Sequence, residues 1–190
     1  MKITRLLLAL AVVFPTVGIS SVRGADKDPL SLDDLGFKSD DLKADSAQQT
    51  LLHKRSRMLK THQILGLVTA IPMAATLMTS SGASDGTSSK RALHRDLGIT
   101  TGALYFTTAG FSIMAPEVEG KKSSGVTRVH KGLAFIHFPA MVIAPILGSM
   151  AYKQKQKGES VHGVASHHAA VASIGAGAYF LSMAIMVFNF

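Results

Sequence analysis

The sequence predicts an all-α integral membrane protein, an antiparallel four-helix bundle preceded by a signal peptide or an additional N-terminal helix. Three observations carry that prediction. Hydrophobic residues make up 47% of the 190 positions and are gathered into long blocks, so the mean hydropathy is positive. Uncharged runs extend from Leu6 to Val22, Thr61 to Ser84, Leu97 to Pro116, Gly132 to Tyr152 and Ser160 to Phe190. The last four reach the roughly 20 apolar residues that cross about 30 Å of hydrocarbon, and the short loops between them make neighbouring helices run antiparallel.

The elements follow in chain order. In residues 1–24, Lys2 and Arg5 precede a short apolar core broken by Pro15, the pattern of a signal peptide cleaved after Gly24, with Val22 at the minus-three position. Left uncleaved, the same run is a fifth helix. Residues 25–45 hold Asp26, Asp28, Asp33, Asp34, Asp40, Asp41 and Asp45, and read as a flexible, solvated extramembrane segment. The membrane domain then spans residues 46–190. Ser46 followed by Gln49 forms a capping box that opens a helix over about 46–79, and Leu51, Leu52, Met58 and Leu59 continue its apolar face. That helix begins outside the bilayer, with Lys54, Arg55, Arg57 and Lys60 at the headgroups. Further helices are expected over about 92–116, 128–152 and 161–188. They are joined by a Gly/Ser-rich linker from Ser80 to Ser89, a charged loop from Glu117 to Thr127 and the segment Lys153–Lys157. A signal peptide places residues 25–60 on the extracytoplasmic side, which the distribution of Lys and Arg at the helix ends mildly opposes.

Composition narrows the chemistry. Without cysteine the chain has no disulfide, no thiolate-bound iron–sulfur cluster and no covalent heme attachment, so metal chemistry requires histidine. The net charge of +8 comes mainly from loop Lys and Arg, which suits membrane lipid or an anionic small molecule. No nucleic-acid motif is present.

A repeat locates the histidines. His62-Gln-Ile-Leu-Gly-Leu-Val-Thr69 returns as His94-Arg-Asp-Leu-Gly-Ile-Thr-Thr101, and again in looser form as His130-Lys-Gly-Leu-Ala-Phe-Ile-His137 and His168-Ala-Ala-Val-Ala-Ser-Ile-Gly175. The common pattern is histidine, an aliphatic residue at plus three, a small one at plus four and a small or polar one at plus seven. On a helix these positions share a face, so each segment presents a histidine above small residues. Such a stripe fits a flat ligand or close helix packing through Gly66, Gly98, Ala134 and Ala172. Packing alone does not ask for the histidines.

Antiparallel alternation lets His62 face His130 at one membrane surface and His94 face His168 at the other. Two histidines at one depth, with no thiolate nearby, suit the axial positions of a b-type heme; imidazole also suits zinc or copper. The two layers are expected roughly 20 to 25 Å apart. With both axial positions filled by protein, the chemistry left is one-electron transfer across the membrane. His167 competes with His168, although its face continues Val171 and Ile174. His137, below His130, is an alternative ligand, a hydrogen-bonding partner between the cofactors, or a satisfied core histidine. His53 and His162 read as solvated or interfacial. Lys60, Arg91, Arg95, Arg128 and Lys131 flank the ligands and fit heme propionates or an acidic donor, and equally serve as topology anchors.

The phrases Lys60-Thr-His62, Arg91-Ala-Leu-His94 and Thr127-Arg-Val-His130, each leading an apolar helix, resemble the ligand motifs of the cytochrome b561 family. The resemblance covers about residues 55–190. It implies a four-helix core with two non-covalent heme b groups, bound by His62 with His130 and by His94 with His168. It also implies electron transfer between a donor such as ascorbate and an acceptor such as monodehydroascorbate or ferric iron. Family members usually have six helices where this chain offers four or five, and the fourth ligand phrase here contains two adjacent histidines. A small-molecule or protein donor and acceptor are expected, and a homodimer is compatible with the sequence. Two readings compete: a histidine-lined transition-metal transporter or sensor, and a structural membrane protein with incidental histidines.

Overall fold

The computed structural model describes residues 39–118 and 125–188, and for residues 39–45 the backbone alone. The expected signal peptide over 1–24, the acidic segment as far as residue 38 and part of the charged loop lie outside the described residues.

Among the described residues every regular element is a helix. They are α1 (Ser39–Met78), α2 (Ser80–Asp85), α3 (Ser88–Ile113), α4 (Gly125–Gln156) and α5 (His168–Phe188), with a 3-10 turn at Gly163–His167 leading into α5. Three stretches, Ser46–Met78, Gly125–Gln156 and Gly163–Phe188, are long and apolar enough to cross a membrane. Their outward faces carry large apolar side chains: Phe135 is 83% exposed and Ile71 72%, as suits hydrocarbon rather than water.

Helix α3 falls short of that group because Thr100, Thr101, Tyr105, Thr107, Thr108 and Ser112 dilute its apolar run. Its threonine hydroxyls nevertheless have partners within the helix. Thr100, Thr101, Thr107 and Thr108 donate to the carbonyls of Asp96, Leu97, Ala103 and Leu104, and Ser112 to that of Ala109. Back-bonding of this kind lowers the cost of placing a hydroxyl away from water.

Element boundaries differ from those expected. Helix α1 starts at Ser39 and runs through the anticipated capping box at Ser46, whose carbonyl accepts the Thr50 hydroxyl at 2.9 Å. The tail of the acidic segment, residues 39–45, is therefore helical. Its aspartates fall in the first turns, where the helix dipole favours negative charge. The Gly/Ser-rich linker is also largely helical, forming α2. Only Gly86 and its neighbours reverse the chain, and a Cβ at Gly86 would strike the Gly82 carbonyl. Helix α4 is longer than expected at both ends. Its connection to α5 is fixed by Gln154, whose amide nitrogen donates to the His162 carbonyl at 3.3 Å and whose oxygen accepts from the His162 N–H at 3.1 Å. Gly163, at φ 62°, then makes a left-handed turn that other residues rarely adopt.

Packing occurs in two antiparallel hairpins. In the first, α1 meets α3 with Arg55 bound to the Pro116 carbonyl at one end and Thr76 to the Thr101 hydroxyl towards the other. In the second, α4 meets α5, and Gly175 lies so close to Ala140 that an added Cβ would come within 2.7 Å of the alanine methyl. Small residues permit this approach, which gives close van der Waals contact in place of a hydrophobic drive that lipid cannot supply. Met73, Tyr105, Ala176 and Tyr179 form the core between the hairpins.

Candidate functional site

Four of the repeated histidines meet in two pairs. His62 on α1 and His130 on α4 have ring centroids 6.0 Å apart, and His94 on α3 and His168 on α5 are 6.1 Å apart. In both pairs the ring planes cross at 87°. Metal–imidazole bonds of about 2 Å, made from both sides of one atom, hold the nitrogens about 4 Å apart and the ring centres about 6 Å apart. Both pairs have that separation. Each pair joins one hairpin to the other.

A second set of bonds fixes each ring within its own hairpin. His62 Nδ1 donates to the Thr108 carbonyl at 2.9 Å, and His94 Nδ1 to the Thr76 carbonyl at 3.0 Å. His168 Nδ1 donates to the Ala144 carbonyl at 2.9 Å, and His130 Nδ1 lies 2.6 Å from the Ser182 hydroxyl. A carbonyl oxygen only accepts, so Nδ1 of His62, His94 and His168 carries the proton. The lone pair of a neutral ring is then on Nε2, the tautomer a metal ligand needs.

The partners obey one rule. Thr76, Thr108, Ala144 and Ser182 each stand fourteen residues after a paired histidine on the same helix, following His62, His94, His130 and His168. Fourteen residues are close to four turns, so histidine and acceptor share a face. At about 1.5 Å per residue, the two histidine layers are about 21 Å apart along the helices. Antiparallel neighbours therefore exchange bonds reciprocally: α1 with α3, and α4 with α5.

One glycine makes an acceptor accessible. A Cβ on Gly148 would come within 2.8 Å of the His168 ring, so the bare residue one turn past Ala144 leaves the route to that carbonyl open. Gly148→Ala is expected to push His168 off its acceptor and weaken ligand binding at the His94/His168 site alone, by about 10–100-fold, the usual loss when a ligand's supporting bond is broken. Heme titration with dissociation constants resolved for the two sites checks this.

Between the layers lies a third polar group. His137 is buried, with Nδ1 2.6 Å from the Tyr105 hydroxyl, and its ring packs against those of Tyr105 and Tyr179 at 5.6 and 5.7 Å. Tyr179 donates to the Gly66 carbonyl at 2.6 Å. His137 therefore faces two tyrosines and not a second histidine, which places it among hydrogen-bonded core groups. Gly66, expected to make room for a flat ligand, instead admits the Tyr179 hydroxyl, 3.8 Å from where its Cβ would be, and Gly98 rests against Thr76.

Of the adjacent histidines, His168 opens α5 and faces His94, whereas His167 ends the 3-10 turn and is exposed. His53 is exposed, and His162 is exposed with Nδ1 bonded to the Ser160 carbonyl. Among the flanking cations, Arg91 donates to the Gly86 carbonyl, while Arg95 pairs with Asp96 at 2.7 Å and bonds the Tyr152 hydroxyl. Lys60, Arg128 and Lys131 are exposed. A surface cavity of about 280 Å³ is lined by Lys54, Arg57, Met58 and Thr61 of α1 and by Phe111 of α3.

Among the described residues no group of three or more His, Asp or Glu side chains converges as a metal cluster would require. The histidines meet two at a time. No protein-family model, no curated protein and no solved structure matches the chain.

Sequence reasoning missed Thr76, Thr108, Ala144 and Ser182 as acceptors, and Tyr105 and Tyr179 as the partners of the core. The fourteen-residue spacing was readable once the histidines were aligned. The identity of the acceptor was not, because three of the four bonds use a main-chain carbonyl that any residue supplies.

Proposed function

We propose that this protein is a membrane cytochrome holding two non-covalent b-type hemes, one between His62 and His130 and the other between His94 and His168. It carries electrons between a soluble donor on one side of the membrane and an acceptor on the other. The observation that carries the reading is the pair of crossed imidazoles at axial spacing, each ring already committed through Nδ1. A heme held between two such histidines would supply one-electron transfer, with no position left for oxygen or substrate.

The chain's own residues do the rest. The carbonyl bonds orient the rings of His62, His94 and His168, keep their Nε2 unprotonated and raise their basicity, and the Ser182 hydroxyl orients His130. Helix α3 joins the three apolar spans as a fourth crossing in an antiparallel bundle, since its threonines carry their hydrogen bonds with them. A bare zinc or copper ion would ask for three or four protein ligands, whereas a porphyrin asks for two opposed ones, the number these sites offer. The cavity lined by Lys54, Arg57 and Thr61, on the α1 segment that leads into His62, fits an anionic donor such as ascorbate at the outer face, with residues 25–60 extracytoplasmic and residues 1–24 a signal peptide. Two hemes held by these four histidines, and electron transfer across the membrane, are what the resemblance to the cytochrome b561 family implies.

A dithionite-reduced minus oxidised spectrum of the purified, heme-reconstituted protein tests the reading. A sharp alpha band with two hemes per chain is expected; a colourless protein overturns it. Stoichiometric zinc or copper without heme would favour the transporter or sensor instead.

A further inference from the structure

We infer that Tyr105 and Tyr179 form a reciprocal lock that docks the two hairpins on each other without a cofactor, and so sets the separation of the paired histidines in advance. They are two of the chain's three tyrosines, and each stands eleven residues after a paired histidine, Tyr105 after His94 on α3 and Tyr179 after His168 on α5. Eleven residues are about three helical turns, so each tyrosine shares its histidine's face. At the same place on α1 and α4 stand Met73 and Met141, which pack into the same core.

Both tyrosines reach out of their own hairpin. Tyr105 leaves α3 and lies with its hydroxyl 2.6 Å from His137 Nδ1 on α4, while Tyr179 leaves α5 and donates to the Gly66 carbonyl on α1 at 2.6 Å. Their ring centroids are 5.9 Å apart, and the His137 ring packs against both. Both tyrosines are buried. The Nδ1 bonds of the paired histidines are the opposite case, since each closes within one hairpin.

A hairpin alone in hydrocarbon keeps its histidine bonds, but its phenol hydroxyl has lost the partner the structure gives it, and lipid offers none in exchange. Docking restores both tyrosine bonds at once. Lipid gives helices no hydrophobic drive to associate, so directed bonds and close packing decide which faces meet. The lock touches all four helices between the histidine layers and thereby holds the His62/His130 and His94/His168 rings at 6.0 and 6.1 Å. Tyr105 and Tyr179 act through helix placement and are positioning residues. Docking itself needs no heme; its consequence for the ligands rests on the two-heme reading above.

The chain has no cysteine, so spin labels attached at Ile71→Cys on α1 and Phe135→Cys on α4, both exposed, report the distance between hairpins in detergent. The heme-free chain is expected to give one narrow distance that heme loading leaves unchanged. Tyr105→Phe and Tyr179→Phe keep the ring and remove only the hydroxyl. Each is expected to broaden the distance, and the two together to broaden it further, with helix content by circular dichroism unchanged. The double variant is expected to bind heme about 3- to 30-fold more weakly at both sites, the factor one interhelical bond in a membrane commands. Its low-spin ferric resonance, which reports the 87° crossing of the paired rings, is expected to broaden as well. A broad distance in the heme-free wild type, narrow distances in all the variants, or unchanged heme affinity in the double variant overturns the lock; the single variants decide where the double one loses its helices. A wild-type chain that binds no heme overturns the two-heme reading instead and leaves the distances, read without cofactor, to stand.

Discussion

On the two-heme proposal, replacing His94 with alanine is expected to remove one heme of two and leave the other with an unchanged bis-imidazole spectrum. The expectation follows from where the two pairs lie. His94 faces His168 alone at 6.1 Å, and the His62/His130 pair is about 21 Å away along the helices, too far for either ring to replace the lost ligand. His168, still held to the Ala144 carbonyl, would be the single ligand left at that site, without the opposed imidazole that closes it. His130→Ala is the mirror experiment and should empty the other site, with His137 unable to substitute because its ring is held between Tyr105 and Tyr179. The pyridine hemochrome ratio of heme to protein measures both. Loss of all heme from a folded single variant would mean that the sites do not act separately. Full retention in both variants would remove the histidines from the ligand set.

The second large effect concerns packing rather than ligands. Gly175→Ala is expected to destabilise the second hairpin by about 1–3 kcal/mol, the usual cost of inserting a methyl where none fits. The new Cβ would meet the Ala140 methyl at 2.7 Å, and neither atom belongs to a side chain that can swing aside. The helices must separate or slide. Either response also stretches the bonds from His168 to Ala144 and from Ser182 to His130, so heme affinity should fall at both sites together with the thermal unfolding midpoint in detergent. Ala140→Gly in the same chain removes the opposing methyl and should recover most of the loss. A Gly175→Ala protein as stable as wild type would show that this contact tolerates expansion.

How legible this was in the sequence varied with the physics behind each feature. The helices were readable because hydrocarbon demands long uncharged runs, and Thr61–Ser84, Gly132–Tyr152 and Ser160–Phe190 supply them without interruption. Helix α3 was readable as a helix but less plainly as a span, since its threonines lower the hydropathy and only the hydrogen-bond geometry shows where their hydroxyls go. Boundaries were the weak point. Ser46 and Gln49 carry the residue types of a helix start and stand inside a helix, because residue types alone do not show that the chain upstream has already turned. The histidines stood out through repetition, and alternation alone brought together the pairs the structure brings together. The distinction between His167 and His168 turned on the 3-10 turn before α5, set by Gly163 and Gln154, and no periodicity announces that turn. The small residues at plus four had two meanings, and Gly66 and Gly98 are in contact with protein.

The reciprocal fourteen-residue bonds also bear on the order of assembly. Each histidine finds its Nδ1 acceptor inside its own hairpin, α1 with α3 or α4 with α5. The ring-to-ring pairs, by contrast, always cross from one hairpin to the other. A hairpin leaving the insertion machinery can therefore set its register and tautomers at once, before its counterpart has been synthesised. Neither hairpin alone presents two opposed ligands. On the two-heme proposal, capture of a metal centre is deferred until both hairpins have docked, and the half-made protein is spared from binding one prematurely.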